Sequence, residues 1–470
     1  MRGILGSSAY LPYRRLDRSQ IAGFVGSGGG KGTRTVSSYD EDTTTMGVEA
    51  ARLALRSTPG VTPDVLAFAT CAPAYADRTN ATAIQAALRL DTATLAVDYG
   101  AAVRSASAAL LLALRGSGTS LVVSADVRTG LPGSGDEAAG GDGAAALLVG
   151  DDTSGAPVVA EFLGAASTSH EFVDRWRAPG EVRSKLWEER FGELEYVPLG
   201  EQAWNAALKQ AELSADRVDR VIVTGLHARA VRSIGGRLGA TNAETVGDLA
   251  TTVGNTGAAH PGILLTSALE TAAPGQVIAL VVLADGADVL LFRATDAIAA
   301  SAPARPVAEQ VEAGAPVGYG KFLSWRGMVN FEPPRRPEPQ RVSSSAAARS
   351  EAWKFGFVGS RDPETGAVHL PPQRVSADGE RVDAMQPVPM ADAQGTIATF
   401  TIDRMVYSPS PPVVFAVVDF DGGGRLPVEL TDADADEIEI GQRVEMTFRR
   451  LSASDGIVNY FWKGRLVRDG

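Results

Sequence analysis

Residues 141–149, GDGAAALLV, set two glycines and an aspartate directly ahead of an apolar run. Four more continuous apolar runs occur at 65–70, 121–125, 221–224 and 277–284. Such runs are typical of strands buried on both faces of a sheet. Segments with apolar residues at helical spacing lie between them, at 45–56, 105–115, 199–211 and 261–271. Strands that alternate with helices predict a layered α/β domain.

The pattern changes beyond residue 297. The segment 302–316 begins a connection, and PPRRPEP at 333–339, followed by SSSAAA at 343–348, predicts an extended linker. Short segments with alternating polarity then follow at 397–405, 413–420, 425–430, 443–451 and 458–466. Five alternating segments predict a small all-β barrel. We therefore expect an α/β domain over 1–297, a linker over 298–350 and a β domain over 351–470.

Composition restricts the class of protein. With 470 residues the chain is long enough for two or three domains. Cys71 is its single cysteine, which excludes a disulfide framework and a cysteine-based metal site. The net charge of -12 argues against nucleic acid as a partner. The longest apolar run is far shorter than the roughly 20 residues of a membrane span. We expect a cytoplasmic protein with no membrane partner.

Residues 254–257, GNTG, form the sharpest candidate chemical motif. Asn255 lies on a turn of small residues that leads into a predicted helix. Its amide could donate to a carbonyl oxygen and contribute to an oxyanion hole. On these residues alone, the preference of asparagine for such turns is the better explanation. The stretch DEDTTTM at 40–46 is likewise explained as a capped helix start.

Three motifs, taken together and in order, resemble those of the thiolase superfamily. They are DEDTTTMGVEAARLAL at 40–55, GDGAAA at 141–146 and VGNTG at 253–257. The similarity spans residues 1–297 and is closest to 3-hydroxy-3-methylglutaryl-CoA synthases of archaeal and actinobacterial type, while ketoacyl synthases are similar too. It implies a five-layered fold of two pseudo-repeated α/β halves, a homodimer, and acyl-CoA or acyl-carrier-protein thioesters as substrates. Coenzyme A would be part of the substrate, with no permanently bound cofactor.

The C-terminal region resembles the acyl-CoA-associated OB-fold domain, which usually follows a zinc ribbon and partners a thiolase-like protein in trans. Four blocks carry this similarity: WRGMVNFEPPRRPEP at 325–339, VVFAVVDFDGGGRLPVELTD at 413–432, GQRVEMTFRRL at 441–451 and DGIVNYFWKGRL at 455–466. The family spacing places the zinc cysteines near Asp362, Thr365, Ser376 and Gly379. With no thiolate at these positions, we expect no structural zinc.

The resemblance places a valine at the family's nucleophile position. The nucleophile is a cysteine five residues after an aspartate and just ahead of a helix, and here these residues are Asp98 and Val103. A valine cannot form a thioester, which excludes an acyl-enzyme at this position. Ser105 lies nearby and is better explained as a helix N-terminal residue. Cys71 aligns with the synthases' catalytic glutamate and is either a displaced nucleophile or, more commonly for free cysteines, a small buried residue.

The family's catalytic histidine aligns with Thr224 or, with a shift of one, Gly225. In the first register His227 falls where the family often has asparagine, and His260 follows Asn255 by five residues. Two histidines beside a carbonyl-binding amide could supply acid and base chemistry near neutral pH. For either histidine alone, capping or packing at a helix start is the better explanation. Their joint placement leaves function and structure equally open.

Three functional hypotheses remain. The first is an enzyme that performs aldol, retro-aldol or direct acyl-transfer chemistry on a thioester without an acyl-enzyme, with Asn255 stabilising the oxyanion and His260 or His227 moving the proton. The second is a catalytically inactive thioester-binding or scaffold protein. The third is an oligonucleotide-binding barrel with Phe461 and Trp462 as stacking residues, which the acidic stretch 429–439 opposes.

Overall fold

The computed structural model describes residues 1–301 and 303–468, and its first part follows the alternating pattern predicted from the sequence. Residues 1–151 contain, in chain order, β1 (Arg2–Tyr10), β2 (Arg14–Asp17), α1 (Ser19–Val25), β3 (Thr33–Val36), α2 (Thr43–Ser57), β4 (Val65–Thr70), α3 (Ala81–Ala87), β5 (Leu95–Gly100), α4 (Arg104–Arg115), β6 (Ser120–Asp126), α5 (Gly135–Ala139) and β7 (Gly143–Asp151). Helix α2 begins at a capping box, in which the Thr45 amide donates to the Asp42 carboxylate and the Asp42 amide donates to the Thr45 hydroxyl. The stretch DEDTTTM is therefore a capped helix start.

The second part repeats the architecture of the first. It contains β8 (Ala160–Ser169), β9 (Arg175–Trp176), β10 (Lys185–Leu186), α6 (Glu189–Gln210), β11 (Arg220–Gly225), α7 (Ala228–Gly235), β12 (Glu244–Thr245), α8 (His260–Glu270), β13 (Val277–Leu283) and β14 (Gly286–Ala294). The sheet order is β12-β11-β13-β14-β8-β1-β7-β6-β4-β5. Read from each outer edge, the five main strands of either half are neighbours in the same order: third, second, fourth, fifth, first. The two pseudo-repeats are confirmed, and β1 and β8 join them as antiparallel strands.

Helices divide the α/β domain into layers. Helix α2 covers the outer face of the first half, against β1, β6 and β7, and α6 covers the outer face of the second half, against β8 and β14. Helices α4 and α8 lie between the halves, because each contacts strands of both. Helix α8 buries most of its residues, and α4 buries half of them. This arrangement of helices and sheets is the predicted five-layered fold.

The segment expected to be a linker folds partly onto the α/β domain. It contains α9 (Val307–Glu312), β15 (Ala315–Pro316), α10 (Tyr319–Trp325) and α11 (Ser344–Arg349). Strand β15 pairs with β2, and Tyr319 and Phe322 of α10 pack on Leu16 and Ile21. The exposed connection is therefore shorter than expected and centres on residues 329–343. The low aromatic content near residue 302 indicated a linker, whereas the apolar residues at 317–323 pack on the α/β domain.

A closed barrel forms the C-terminal domain. After α12 (Glu351–Lys354), strands β16 (Val358–Arg361), β17 (Val368–His369) and β18 (Gln386–Pro389) make a small sheet. Strands β19 (Gln394–Asp403), β20 (Val413–Phe420), β21 (Arg425–Leu430), β22 (Arg443–Ser454) and β23 (Ile457–Leu466) close in the order β19-β20-β21-β23-β22. The prediction of a five-stranded barrel is confirmed.

Buried charges join the barrel to the α/β domain. Arg449 of β22 lies 2.6 Å from Glu41 and 2.7 Å from Asp432, and Lys463 of β23 lies 3.0 Å from Asp40. All these side chains are essentially inaccessible to solvent. Because a buried charge is costly unless it is paired, these contacts fix the barrel against the start of α2. We call this cluster the interdomain ion network.

The barrel aromatics serve the same interface. Trp462 is 1 % exposed, its indole donates to the Phe355 carbonyl, and the Arg52 guanidinium lies 4.7 Å from its ring centre. Phe461 packs against Trp353 and Phe357. Trp462 lies at the contact with α2 and Phe461 packs against the rings of the segment before β16, so they do not form the exposed stacking surface that an oligonucleotide needs. Across residues 1–301 and 303–468, no helix has the length and apolar character of a membrane span.

Candidate functional site

The turn between β5 and α4 presents Val103 where the resemblance places the nucleophile. Asp98 of β5 accepts hydrogen bonds from the backbone amides of Asn80 and Ala81, which anchors the strand. Ala101 then adopts a φ of +79°, a conformation that costs a non-glycine residue about 1 kcal/mol or more. Val103 is 7 % exposed and packs in the apolar cluster between the two halves. The strained turn is present, and its key side chain is an inert isopropyl group.

The hydroxyls of Ser105 and Ser107, near this turn, form hydrogen bonds that hold α4 in place. Ser105 donates to the Gly100 carbonyl at 2.7 Å. Ser107 donates to the Asp288 carboxylate at 2.7 Å, and Arg104 binds the same carboxylate at 2.8 Å. Neither serine contacts a histidine or lysine within the residues described. Ser105 lies in the first turn of α4, but its hydroxyl donates to a carbonyl and no side chain caps this helix start, so the expected capping role is not seen. The arrangement also provides no activated nucleophile.

Cys71 follows β4 and lies beside a buried carboxylate. Asp126, at the end of β6, accepts from the Cys71 amide at 2.7 Å, the Thr70 hydroxyl at 3.1 Å and the Ala258 amide at 2.7 Å. Burial, reinforced by the charge of Asp126, raises the pKa of the Cys71 thiol well above its usual value. The thiol is therefore protonated at neutral pH, and a protonated thiol is a poor nucleophile. These contacts favour the small buried role over a displaced nucleophile.

Asn255 reaches the strand end to which the family histidine aligns. Its Nδ2 donates to the Gly225 carbonyl at 3.0 Å, and its Oδ1 accepts from the Gly257 amide at 2.9 Å. Thr224, the residue before Gly225, is 3 % exposed. Gly254 has a φ of +83°, so the turn requires glycine at this position. The structure thus brings the predicted amide and the end of β11 together, with the amide engaged by backbone groups.

The two histidines contact different parts of the molecule. The Ala230 amide donates to Nδ1 of His227 at 3.1 Å, and Nε2 lies 2.8 Å from the Glu189 carbonyl, so His227 caps α7. His260 is 3 % exposed, and its Nδ1 faces the amide and hydroxyl of Thr256. Burial lowers the pKa of His260 to about 4, which keeps its ring neutral at pH 7. The hydrogen-bond partners of His227 and His260 are different groups. His260 lies five residues after Asn255, at the start of α8, where its ring is buried in the core.

Two arginines near Cys71 were not anticipated from the sequence. Arg177 donates to the Cys71 carbonyl, and the positive charges of Arg128 and Arg177 both act on the Cys71 thiol. A Cβ at Gly257 would lie 3.0 Å from Cδ of Arg128 and 2.2 Å from Oδ2 of Asp126, which places the Arg128 side chain at this corner. Arg128 follows the end of β6 by two residues. A charged residue just beyond the carboxyl end of a predicted strand is a signal by which the sequence could have indicated it. Arg177 lies in the irregular segment between β9 and β10, where no pattern marks it.

A groove is lined by residues that lie close to these arginines in the chain, among them Gly130 and Trp176. It has a volume of about 500 Å³ and is bordered by residues 130–136, after β6, and by strands β9 and β10. Leu131, Trp176 and Leu186 supply exposed apolar surface, whereas Arg183 and Lys185 supply positive charge. Apolar walls with a few cationic groups suit a long, partly anionic ligand.

Arg381 pairs with acidic residues in the loop where the resemblance places the zinc cysteines. Asp362 accepts from the amides of Glu364 and Thr365 and binds Arg381 at 3.2 Å. Arg381 also pairs with Glu364, and its amide donates to the Ser376 hydroxyl at 3.1 Å. The side chains at the four ligand positions therefore do not fit a zinc ion, and an ion-pair cluster holds the loop instead. Among the residues described, no group of three or more metal-ligating side chains is arranged to hold a metal.

The fold and site define a thiolase-like condensing-enzyme domain joined to an OB-fold barrel. Residues 208–289 match the model of the 3-oxoacyl-[acyl-carrier-protein] synthase III C terminal, and residues 387–449 match the ChsH2 C-terminal OB-fold domain. A solved structure of HMG-CoA synthase complexed with CoA aligns with a TM-score of 0.60 at 15% identity, covering 73% of this chain and 95% of that one. A curacin-pathway HMG synthase in complex with acetyl donor-ACP aligns at 0.57 and 18% identity, covering 69% and 88% of the two chains.

Sequence similarity makes the family explicit. The hydroxymethylglutaryl-CoA synthase of Aeropyrum pernix is 30% identical over 345 residues, which cover 70% of this chain and 94% of that protein. The chain belongs to the hydroxymethylglutaryl-CoA synthase family. Both predicted resemblances are thereby confirmed, the synthase family for the α/β domain and the OB fold for the barrel.

Proposed function

We propose that this protein binds an acyl-CoA or acyl-carrier thioester and promotes carbon–carbon bond chemistry on it, or direct acyl transfer, without an acyl-enzyme. The observation that carries the proposal is Val103 on the strained turn before α4, together with the protonated thiol of Cys71 in the same apolar cluster. In an aldol addition, the thioester α-carbon bonds to the acceptor's carbonyl carbon, and the α-proton ends on the acceptor oxygen. The retro-aldol reaction is the reverse, and neither direction needs a thiolate on the protein.

The groove beside residues 130–136 supports thioester binding. Trp176 and Leu186 offer an apolar wall for the pantetheine arm, and Arg183 and Lys185 offer cations for the phosphates. In this proposal the Asn255 amide exchanges its bond to the Gly225 carbonyl for one to the thioester carbonyl oxygen. His227 and His260 have no part in this proposal. Both ring nitrogens of His227 contact backbone groups, and His260 is buried in the core.

The test measures turnover and acylation separately. Wild-type protein is incubated with a panel of acyl-CoAs, with and without aldehyde or ketone acceptors, and free CoA and acyl-CoA are quantified by chromatography. We expect an acceptor-dependent change that Asn255→Ala abolishes, with no acyl adduct on the intact protein by mass spectrometry. Val103→Cys restores a thiol on the same turn and should gain one acetyl group from acetyl-CoA. An adduct on the wild-type protein would refute the absence of an acyl-enzyme.

A catalytically inactive thioester-binding protein is the second candidate. It is favoured by the amide of Asn255, which is satisfied on both sides by backbone groups, and by the core position of His260. Acyl-CoA binding by calorimetry, with no change in any acyl-CoA and acceptor mixture, would establish this candidate over the enzyme.

We also propose a homodimer formed through β5. This strand lies at the outer edge of the sheet, and its first residue, Leu95, is 60% exposed. An unpaired apolar edge is a template for pairing with a second copy. Leu95→Lys should shift the mass measured by light scattering towards the monomer, whereas Met405→Lys, at an equally exposed apolar position on the barrel, should not.

A further inference from the structure

Three arginines surround one carboxylate where the α/β domain meets the C-terminal domain. Arg52 and Arg56 lie on α2, Arg89 follows α3, and Asp392 lies in the turn between β18 and β19. The Asp392 carboxylate is 3.0 Å from Arg52, 3.1 Å from Nε of Arg56 and 3.5 Å from Arg89. These four side chains line a groove with a volume of about 160 Å³. We call it the arginine groove.

Positive charge exceeds negative charge in the arginine groove. Arg52 has two acids, Asp392 and Glu49, the latter at 2.8 Å. The Glu49 carboxylate also faces Arg465 at 3.7 Å. Within the residues described, Asp392 is the one carboxylate within 4.0 Å of the other two arginines. Three guanidinium groups therefore share one carboxylate and part of a second.

The arginines of the groove also have unmet demand for an acceptor. Arg52 is buried, and its Nη atoms donate to the Met446 and Ala391 carbonyls, whereas its Nε has no hydrogen-bond partner in the part of the chain that the structure describes. Burial lowers the pKa of Arg89, and the charges of Arg52 and Arg56 lower it further. Buried charged groups are normally paired and hydrogen-bonded. Surplus charge and an unused donor together indicate an anion as the ligand.

The arginine groove is distant from the candidate thioester site. Thr43, in the first turn of α2, donates to the Ala72 carbonyl, next to Cys71. Arg52 and Arg56 follow on the same helix, and at about 1.5 Å per residue they lie about 14 and 20 Å farther along its axis than Thr43. The groove is therefore a separate site, and an anion in it would contact both domains.

We propose that the arginine groove binds a phosphate group, and that the bound phosphate strengthens the contact between the α/β domain and the C-terminal domain. Guanidinium groups bind phosphate oxygens through paired, charge-assisted hydrogen bonds. Asp392 stays with the buried Arg52, and the phosphate binds at Arg56 and Arg89, whose side chains are partly exposed. The volume of the groove suits a phosphate ion or the phosphate end of a small monoester.

Thermal unfolding of the full-length protein tests the proposal. The melting temperature is measured over a concentration series of inorganic phosphate, with chloride at equal ionic strength as reference, and again with glycerol 1-phosphate. A ligand that binds only the folded state raises the melting temperature and saturates its site. Phosphate also stabilises proteins in general, because it is excluded from their surface. The expected result is a saturable rise in wild type above this general effect.

Arginine variants assign the saturable rise to the groove. The double variant Arg56→Gln/Arg89→Gln should keep only the general, non-saturating effect. The matched control Arg217→Gln/Arg404→Gln removes two exposed arginines elsewhere and should keep the wild-type response. Hydrogen exchange reports on the domain contact, and phosphate should slow exchange of α2 and β22, which meet at this interface, in wild type and not in the groove variant.

Asp392→Asn gives a response that a purely structural ion cluster would not show. The variant removes the carboxylate that competes with the anion, and it should melt at a lower temperature than wild type without phosphate. Its half-saturating phosphate concentration should nevertheless be about fivefold lower, which equals about 1 kcal/mol. An unchanged or higher half-saturating concentration would contradict anion binding beside Asp392.

The remaining outcomes identify the ligand or overturn the proposal. A saturable rise with inorganic phosphate alone assigns the site to the free ion, and one with glycerol 1-phosphate alone assigns it to a small phosphate monoester. No saturable rise with either compound, or an equal rise in the groove variant, overturns the site. A saturable rise without slower exchange in α2 and β22 overturns the effect on the domain contact.

Discussion

Replacement of Arg449 by methionine should strongly destabilise the whole chain. Arg449 is completely buried and neutralises two carboxylates, Glu41 at 2.6 Å and Asp432 at 2.7 Å. Methionine fills a similar volume and leaves both acids without their cation. Removing one partner of a buried ion pair costs about 3–5 kcal/mol. We expect a loss of this size in the free energy of unfolding, measured by urea titration at pH 8 with tryptophan fluorescence and circular dichroism.

The pH dependence of this loss gives a second, independent check. Burial raises the pKa of Glu41 to about 7, above its value in the unfolded chain, while Arg449 acts to lower it. Folding therefore takes up a proton between about pH 4.5 and 7, and the Glu41 contribution to stability falls as the pH rises through this window. Without Arg449 the pKa of Glu41 rises further. The cost of Arg449→Met should thus be larger at pH 8 than at pH 5.

Three further variants test whether the charge of Arg449 is what stabilises the fold. Arg449→Lys keeps the charge and should cost less than Arg449→Met. Glu41→Gln in the Arg449→Met background removes one unpaired acid and should recover about 1–3 kcal/mol. Arg217→Met, at an exposed site, should change stability by no more than about 0.5 kcal/mol. A cost for Arg449→Met below about 1 kcal/mol, or one independent of pH, would show that the interdomain ion network contributes little to the fold.

Three further predictions concern other parts of the chain. Arg381→Gln should lower the melting temperature of the protein, whereas chelators should leave it unchanged in wild type, because an ion-pair cluster holds that loop; a chelator-induced drop would contradict this. Gly254→Ala should destabilise by about 2 kcal/mol or more, since its φ is +83° and its Cβ would lie 2.4 Å from the Gly140 carbonyl oxygen. Gly239→Ala, with a φ of +67° and its nearest atom at 3.9 Å, should cost clearly less in the same urea titration. Burial raises the pKa of Glu270 to about 7, so its contribution to stability should decline from about pH 4.5 to 7, and Glu270→Gln should flatten this part of the pH–stability curve; an unchanged slope would refute the assignment.

Secondary structure was predictable wherever burial and periodicity act locally. Strands β4, β20 and β21 have the bounds expected from their apolar pattern. Helix α6 was expected to begin at Leu199, whereas it begins ten residues earlier and runs through Pro198. A proline suggests a helix start because it lacks a backbone donor. Here the packing of Tyr196 and Val197 in the second-half core outweighs that local preference.

The candidate site was predictable only where backbone geometry determines it. The assignment of Val103 to the nucleophile position came from the resemblance to the family, whereas the turn at Asn255 follows from its small residues. For the histidines the sequence left a catalytic and a structural role equally open, because proximity along the chain does not give side-chain direction; in the structure His227 caps α7 and His260 lies in the core. Arg177 lies between two short strands, and only three-dimensional packing brings it to Cys71. Sequence patterns describe elements well and contacts between distant segments poorly.

The sharing of α2 between both domains has a consequence for synthesis of the chain. Glu49 on this helix accepts a hydrogen bond from the Phe448 amide, 399 positions later. At about 5–20 residues per second, the ribosome needs roughly 20–80 s to deliver that partner. During this interval the acids at the start of α2 have no cation from the barrel, and the helix face that the barrel will cover is open to water. The nascent α/β domain is therefore incomplete until β22 and β23 have been synthesised. A chaperone that shields α2 would act during this interval.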